Sequence, residues 1–186
     1  NVDLKNNRKN TWGTGLIFDH EIDSIQNVTV AAGFTREISE NANKTAYYSN
    51  AYALGLAYNF VHTTYGLDFA HKDTKNKDGA GNKVKNNEVT AVIRQGLNED
   101  WNVYAMYSYK TEKTLPVGSA YSKSTDRQFL VGTEYYVYNQ GSLKVKPFLE
   151  WQATRTKYEN TFDKDSGKQL DRSRDFKTVI GLRAYW

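Results

Sequence analysis

The chain has no cysteine, only two prolines and one methionine, and no long apolar run. Without cysteine, neither disulfides nor thiolate metal sites contribute to the structure. Without an apolar stretch of about 20 residues, a membrane-spanning helix is excluded. The net charge of +4 is small and scattered, so the composition does not favour nucleic-acid binding. The length of 186 residues fits a single domain.

Aromatic residues are abundant in a chain that is otherwise polar. It contains 14 Tyr, 8 Phe and 4 Trp, while the mean hydropathy is −0.75. This combination is unusual for a compact soluble core, where Leu and Ile usually carry the packing. No segment shows a helical period, and apolar and polar residues alternate instead, which predicts an all-β protein. The predicted strands lie near residues 12–22, 25–38, 46–60, 61–72, 87–97, 100–112, 125–138, 143–158 and 173–186.

The connections between these strands alternate between short and long. Tight turns are predicted around Asp23, Phe60, Asn98 and Gly141, and long polar segments such as "DTKNKDGAGNKVKNN" fall between them. Because consecutive antiparallel strands reverse direction, all tight turns then lie at one end and all long loops at the other. Most of the strands also exceed the length of about 5–6 residues usual in globular proteins.

These features predict that residues 1–186 form one antiparallel, up-and-down transmembrane β-barrel. Nine strands are evident from the alternation, whereas bacterial barrels have an even number of strands. The opening "NVDLKNN" alternates at Val2 and Leu4, and we expect it to supply the tenth strand.

Each predicted strand has one apolar face suited to lipid, and tryptophan recurs on these faces. Trp12, Trp101, Trp151 and Trp186 are predicted to belong to the aromatic girdles that mark the two membrane interfaces. The last strand, "FKTVIGLRAYW", alternates in the same way and places Trp186 on its apolar face.

This ending, "VIGLRAYW", resembles the sorting signal of bacterial outer-membrane β-barrels, and the whole chain is similar to that class in pattern. The C-terminal half resembles small monomeric porins of the oligogalacturonate or sialic-acid channel type. The resemblance implies a location in the bacterial outer membrane, contact with its lipid and lipopolysaccharide, and insertion by the barrel-insertion machinery.

The opposite face of each strand would line the lumen. In the first half of the chain that face carries mainly glycine and alanine, from Gly13 to Ala70. In the second half the predicted pore-lining residues are Arg94, Lys110, Glu134, Lys144, Lys146, Glu150, Lys177 and Arg183. Two alternatives follow: the long side chains pair and plug the barrel, or the small wall leaves a water-filled slot past a ladder of charges.

Metal binding and catalysis have little support. His20, His62 and His71 share no ligand-like spacing with carboxylates on one strand face. A triad of Ser49, His62 and Asp68 can be drawn, but no nucleophile elbow surrounds the serine. We expect no enzyme activity and no cofactor.

The sequence therefore predicts a narrow passive diffusion channel of the bacterial outer membrane for small hydrophilic, anionic solutes. One alternative is a non-conducting barrel that acts through its extracellular loops as an adhesin or structural anchor. Another is the translocator barrel of a longer secreted protein. A soluble lipocalin-like barrel is the non-membrane alternative.

Overall fold

The computed structural model of the chain describes residues 7–40, 46–76, 82–116, 118, 120–140, 143–162 and 167–185. Within these ranges the chain forms one sheet of ten antiparallel strands. The strands are β1 (Asn7–Asp23), β2 (Gln26–Glu40), β3 (Ala46–Phe60), β4 (Thr63–Asn76), β5 (Lys83–Gly96), β6 (Trp101–Leu115), β7 (Ser122–Tyr135), β8 (Tyr138–Gln140), β9 (Leu143–Glu159) and β10 (Arg172–Tyr185). The predicted all-β, up-and-down order is confirmed. The described residues contain no helix long and apolar enough to cross a membrane.

The connections alternate in length as predicted. Short connections at 24–25, 61–62 and 97–100 lie at one end of the sheet, here called the turn end. The longer intervals between strands lie at the opposite, loop end. At the turn end, Val61 adopts a φ of 53°, and its N–H donates a 2.9 Å hydrogen bond to the carbonyl of Ile25. Two neighbouring turns are thereby joined.

The strand predicted at Val2 and Leu4 lies outside the described residues, so it stays a prediction. The tenth described strand is β8, a three-residue strand that pairs only with β9. The turn predicted around Gly141 likewise lies outside the described residues.

Pro147 lies where β9 changes its partner. The ladder between β7 and β9 ends at the pair Glu134 and Phe148, and β8 begins at the pair Tyr138 and Val145, one residue out of register. A residue without an N–H group is tolerated where the ladder is interrupted. Pro147 thus lies at the one-residue change of register between β7 and β8 along β9.

The sheet is not closed. Among the described residues β1 pairs only with β2 and β10 only with β9, so the predicted closed barrel is not seen. The physical reason lies in the strand number along the main path. Nine long strands alternate in direction, so β1 and β10 run the same way and have no antiparallel pairing available to them.

The register separates the residues into two faces. One row of paired residues crosses the whole sheet and defines the apolar face. It contains Leu16, Ala32, Leu54, Phe69, Val89 and Tyr109, followed by Arg127, Arg155 and Arg174. The adjacent positions define the polar face, which carries the glycines and alanines of β1 to β4 and every pore-lining residue predicted from the sequence.

The burial of the two faces is the reverse of that in a soluble protein. No hydrophobic side chain among the described residues is buried, and Leu54, at mid-strand on the apolar face, is 51% exposed. The buried residues are polar: Ser49, Ser108, Thr125, Glu134 and Lys146. All of them except Thr125 lie on the polar face. The sheet thus packs its polar groups and leaves its apolar groups uncovered.

Candidate functional site

Ionic side chains from four strands and a tyrosine from a fifth meet on the polar face near the turn end. We call this group the Glu134 cluster. It consists of Arg94 on β5, Tyr104 on β6, Glu134 on β7, Lys146 and Glu150 on β9, and Arg183 on β10. Each residue lies in the half of its strand toward the turn end, so the up-and-down order brings them close together.

Glu134 is the centre of the cluster. Its side chain is 4% exposed, and three cations donate hydrogen bonds to its carboxylate. Oε1 accepts from Nη2 of Arg94 at 2.6 Å and from Nζ of Lys146 at 2.9 Å. Oε2 accepts from Nη1 of Arg183 at 2.9 Å. Charge-assisted hydrogen bonds of this kind are stronger than neutral ones, and they compensate the burial of the carboxylate.

Arg183 extends the network to a second carboxylate. Its Nη2 donates to Oε1 of Glu150 at 2.8 Å, and the hydroxyl of Tyr104 donates to the same oxygen at 2.6 Å. The Arg183 guanidinium therefore bridges two carboxylates on neighbouring strands, a task that suits its planar fork. Strands β6, β7, β9 and β10 are cross-linked in this way.

Aromatic rings contact two of the cations, Arg183 and Lys146. The guanidinium of Arg183 lies 4.1 Å from the ring centre of Phe148. Nζ of Lys146 lies 5.1 Å from the ring of Tyr136 and 5.3 Å from that of Tyr185. Cations within about 6 Å of a ring face are attracted by its quadrupole. The geometry of the cations is thus fixed by both carboxylates and rings.

Two glycines make room for the rings of the cluster. A Cβ on Gly132 would lie 2.5 Å from the ring of Tyr104, and a Cβ on Gly181 would lie 2.5 Å from the ring of Phe148. Each ring therefore occupies the space that a side chain on the paired glycine would need, as an aromatic side chain does when it covers a glycine in a sheet. Glycine is required at positions 132 and 181 because the rings of Tyr104 and Phe148 approach the backbone there too closely for a side chain.

The cluster carries an excess positive charge. Arg94, Lys146 and Arg183 face two carboxylates, and two of the three cations remain accessible: the side chains of Arg94 and Arg183 are 44% and 36% exposed. Lys146 is 8% exposed and serves mainly to neutralise Glu134. The arrangement can attract a small anion to the accessible guanidinium groups.

The structure brings together five of the eight predicted pore-lining residues, all of them in the Glu134 cluster. The other three, Lys110, Lys144 and Lys177, share the polar face but lie apart, and Lys177 pairs with Asp175 at 3.1 Å. The contribution of Tyr104 was missed by sequence reasoning. The alternation of β6 could have placed Tyr104 on the polar face, but its position opposite Gly132 is set by the register between strands.

The predicted girdle residues Trp12, Trp101 and Trp151 lie on the apolar face. Trp101 opens β6 at the turn end, and its Nε1 donates to Oγ1 of Thr133 at 2.7 Å. Trp151 lies at mid-strand rather than at a strand end, stacked on Phe176 with ring centres 6.1 Å apart. Trp186 lies outside the described residues.

The described residues offer little for metal or triad chemistry. No group of three or more His, Asp or Glu side chains among them is placed to hold a metal ion. Ser49 is the serine of the triad drawn from the sequence. Its hydroxyl group is hydrogen-bonded to the hydroxyl group of Thr74 at 2.8 Å.

Comparisons of the chain with protein-family models, with curated proteins and with solved structures find no match.

Replacing Glu134 by Gln should lower the free energy of unfolding by about 2–3 kcal/mol, because a buried lysine and two arginines lose their shared counter-ion. Glu159 is the matched control, since its carboxylate pairs with Lys123 at 3.7 Å and Lys157 at 3.8 Å but is 32% exposed. Glu159→Gln should cost below about 1 kcal/mol. Denaturant unfolding measures both; equal losses would contradict the central place given to Glu134.

Gly132→Ala should destabilise the protein by about 1–3 kcal/mol, because the new methyl group overlaps the ring of Tyr104 and forces it away from Glu150. Gly33 is the control on the same face, since a methyl group at that position would have its nearest neighbouring atom 3.9 Å away. Gly33→Ala should be neutral or stabilising, because alanine loses less backbone entropy on folding. Unfolding curves of the two variants test the contrast, and a tolerated Gly132→Ala would refute the close approach.

Proposed function

We propose that the sheet is the wall of a bacterial outer-membrane β-barrel and that its polar face lines a narrow, passive channel for small hydrophilic, anionic solutes. The observation that carries the proposal is the reversed burial, with an uncovered apolar face and a packed polar one. A sheet with this arrangement is stable where hydrocarbon covers the apolar face.

The length of the apolar face supports a bilayer as its partner. On β9 the outward positions are apolar from Leu143 to Ala153: Leu143, Val145, Pro147, Leu149, Trp151 and Ala153. At about 3.4 Å per residue this stretch is about 34 Å long, and a tilt near 45° reduces its height to about 24 Å. The apolar band of an outer-membrane barrel is about 25 Å tall.

The oblique course of the apolar band supports a tilt. The row of paired residues that starts at Leu16, among the apolar residues of β1, reaches β9 at Arg155. Arg155 lies beyond the apolar stretch of β9, on its loop-end side. The band therefore shifts toward the turn end from β1 to β9. Strands that are tilted against a flat slab produce this shift, because pairing rows run perpendicular to the strands and not parallel to the slab.

Closure of the barrel needs one strand more than the nine long ones, since β1 and β10 run in the same direction. The exposure of the edge strands supports such a partner. Ile17 on β1 and Ile180 on β10 are 74% and 80% exposed, above every apolar residue of the inner strands. Long uncovered edges favour association with other strands.

The channel would have two unlike walls. The strands β1 to β4 present glycine and alanine to the lumen, which leaves space, and the opposite wall presents the Glu134 cluster. A solute would diffuse past the accessible guanidinium groups of Arg94 and Arg183, with no covalent step and no cofactor. The excess of cations over carboxylates favours anions.

In this placement the turn end faces the periplasm and the loop end faces the cell exterior. The apolar face contacts outer-membrane lipid and lipopolysaccharide. β10, with its alternating apolar residues, would be recognised by the barrel-insertion machinery.

One observation favours a non-conducting barrel. The Glu134 cluster links β5, β7, β9 and β10 through short hydrogen bonds, and such a network narrows any lumen at the turn end. If it fills the lumen, the function would lie in the long loops, as an adhesin or anchor.

Membrane contact predicts that an arginine is tolerated unequally at two adjacent positions of β3. Leu54→Arg should cost about 2–4 kcal/mol of folding free energy in a bilayer, because the charge meets hydrocarbon. Ala53→Arg should be tolerated better, because position 53 belongs to the polar face. Folding into liposomes measures both, and equal effects or the reverse order would contradict the assignment of the lipid face.

Conduction predicts a change of ion selectivity. Arg94→Ser combined with Arg183→Ser leaves Lys146 to neutralise Glu134, so the cluster changes from net +1 to net −1 while its buried pair persists. The reversal potential in a salt gradient should shift toward cations, and conductance should rise because two long side chains are gone. Both effects should weaken between 0.1 M and 1 M salt, as the screening length falls from about 10 Å to about 3 Å.

Lys75→Ser with Lys85→Ser is the control for this experiment, since it removes the same charge from outward positions. It should leave selectivity unchanged. If wild-type protein forms no channels in a planar bilayer and the arginine variant does, the cluster is a plug. If neither the wild-type protein nor the arginine variant forms channels, the channel proposal is contradicted.

A further inference from the structure

Three arginines stand side by side on the apolar face at the loop end. Arg127 on β7 pairs with Arg155 on β9, and Arg155 pairs with Arg174 on β10. We call this group the arginine row. All three side chains are exposed. Directly opposed residues have Cβ atoms about 4.5–5.5 Å apart, and like charges in that position destabilise a sheet.

The arginine row has no carboxylate partner among the described residues. The nearest described carboxylate of this face, Glu159, pairs with Lys123 and Lys157 at the next rows. In the described part of the chain, Arg127 contacts the ring of Tyr109, 6.0 Å from its guanidinium carbon. The row is therefore a concentration of positive charge whose repulsion the described part of the chain does not relieve.

An apolar row lies directly beside the arginine row on its turn-end side. It is formed by Phe129, Ala153 and Phe176, which pair with one another across the same three strands. The two rows lie two positions apart along each strand, a distance of about 7 Å. A ligand that satisfies both rows needs anionic groups on one side and hydrocarbon on the other, which a free phosphate ion lacks.

We infer that the arginine row binds the phosphate groups of an anionic lipid whose acyl chains lie along the apolar row beside it. The ligand class is a phosphorylated lipid of the leaflet at the loop end. Guanidinium groups suit this role because their planar forks donate paired hydrogen bonds to phosphate. The inference rests on the proposed membrane placement and assigns one lipid contact to named residues.

Three other cations of the apolar face supply a control. Arg36, Lys75 and Lys85 also point outward at the loop end, but on β2, β4 and β5. They do not stand next to one another as the row does, and the guanidinium of Arg36 already lies 5.0 Å from the ring of Tyr48. Replacing all three by Gln removes the same charge as replacing the arginine row.

The first measurement is stability without anionic lipid. In zwitterionic detergent, Arg155→Glu should raise the midpoint of denaturant unfolding, because the new carboxylate lies between two arginines. Adding diphosphorylated lipid A should stabilise the wild-type protein and not this variant. A lower midpoint for Arg155→Glu would mean that the row already has an anionic partner within the chain, and would overturn the inference.

The second measurement is binding of lipid A in mixed micelles, monitored by retention in native mass spectrometry. The triple variant Arg127→Gln, Arg155→Gln, Arg174→Gln should lose affinity roughly tenfold or more, while the Arg36, Lys75 and Lys85 variant should stay within about twofold of wild type. Dephosphorylated lipid A should bind the wild type and the triple variant equally. Equal losses for both triple variants would overturn the inference, because binding would then follow net charge alone.

Inorganic pyrophosphate is the probe for a free phosphate source. Pyrophosphate that competes with lipid A at similar concentration would overturn the assignment to a lipid. Failure of the proposed function shows differently: the protein would not integrate into liposomes or would not conduct. A protein that integrates, yet whose row variant keeps its preference for phosphorylated lipid A, refutes this inference and leaves the channel proposal standing.

Discussion

An apolar face that the described part of the chain does not cover is the constraint on which the rest of the structure depends. Soluble sheets bury that face against a second layer, and their stability comes from the area so removed from water. Here no outward apolar side chain of the described strands is buried, and no second layer is present among the described residues. The side chains that do pack against one another are polar, so cohesion between strands rests on backbone ladders, on hydrogen bonds and on ion pairs.

That constraint explains why a carboxylate is the most buried ionic group. On a polar face without an apolar core, strands that are not neighbours are linked by long side chains that reach across the strand between them. Glu134 accepts from Arg94 and Arg183, which lie on strands two positions away in the sheet order. Buried ion pairs contribute little net stability compared with apolar packing, but removing one partner is costly. The network therefore fixes which strands lie together more than it strengthens the sheet.

Much of the fold could be predicted from the sequence, because a period of two assigns each residue to a face and turn lengths assign each connection to an end. The predicted strands at 46–60 and 143–158 match β3 and β9 almost residue for residue. What the alternation does not contain is closure, and it did not predict β8, a three-residue strand that pairs only with β9. The cluster was half predicted. Charges on the lumenal face were evident, but the roles of Tyr104 and Gly132 depend on register between strands, which periodicity along one strand does not fix.

The same register concentrates charged side chains at opposite ends of the two faces. On the polar face, the largest group of linked charges lies at the turn end, where carboxylates hold the cations in place. On the apolar face, the described cations lie toward the loop end, and the arginine row there lacks carboxylates among the described residues. In the proposed barrel the inner cations meet solutes in water, where partial neutralisation keeps anions from binding too tightly to leave. The outer cations border hydrocarbon, where an uncompensated charge is costly and an anionic headgroup relieves it. Compensation from within the chain on one face, and from a lipid on the other, is thus the arrangement that this pattern of charges favours.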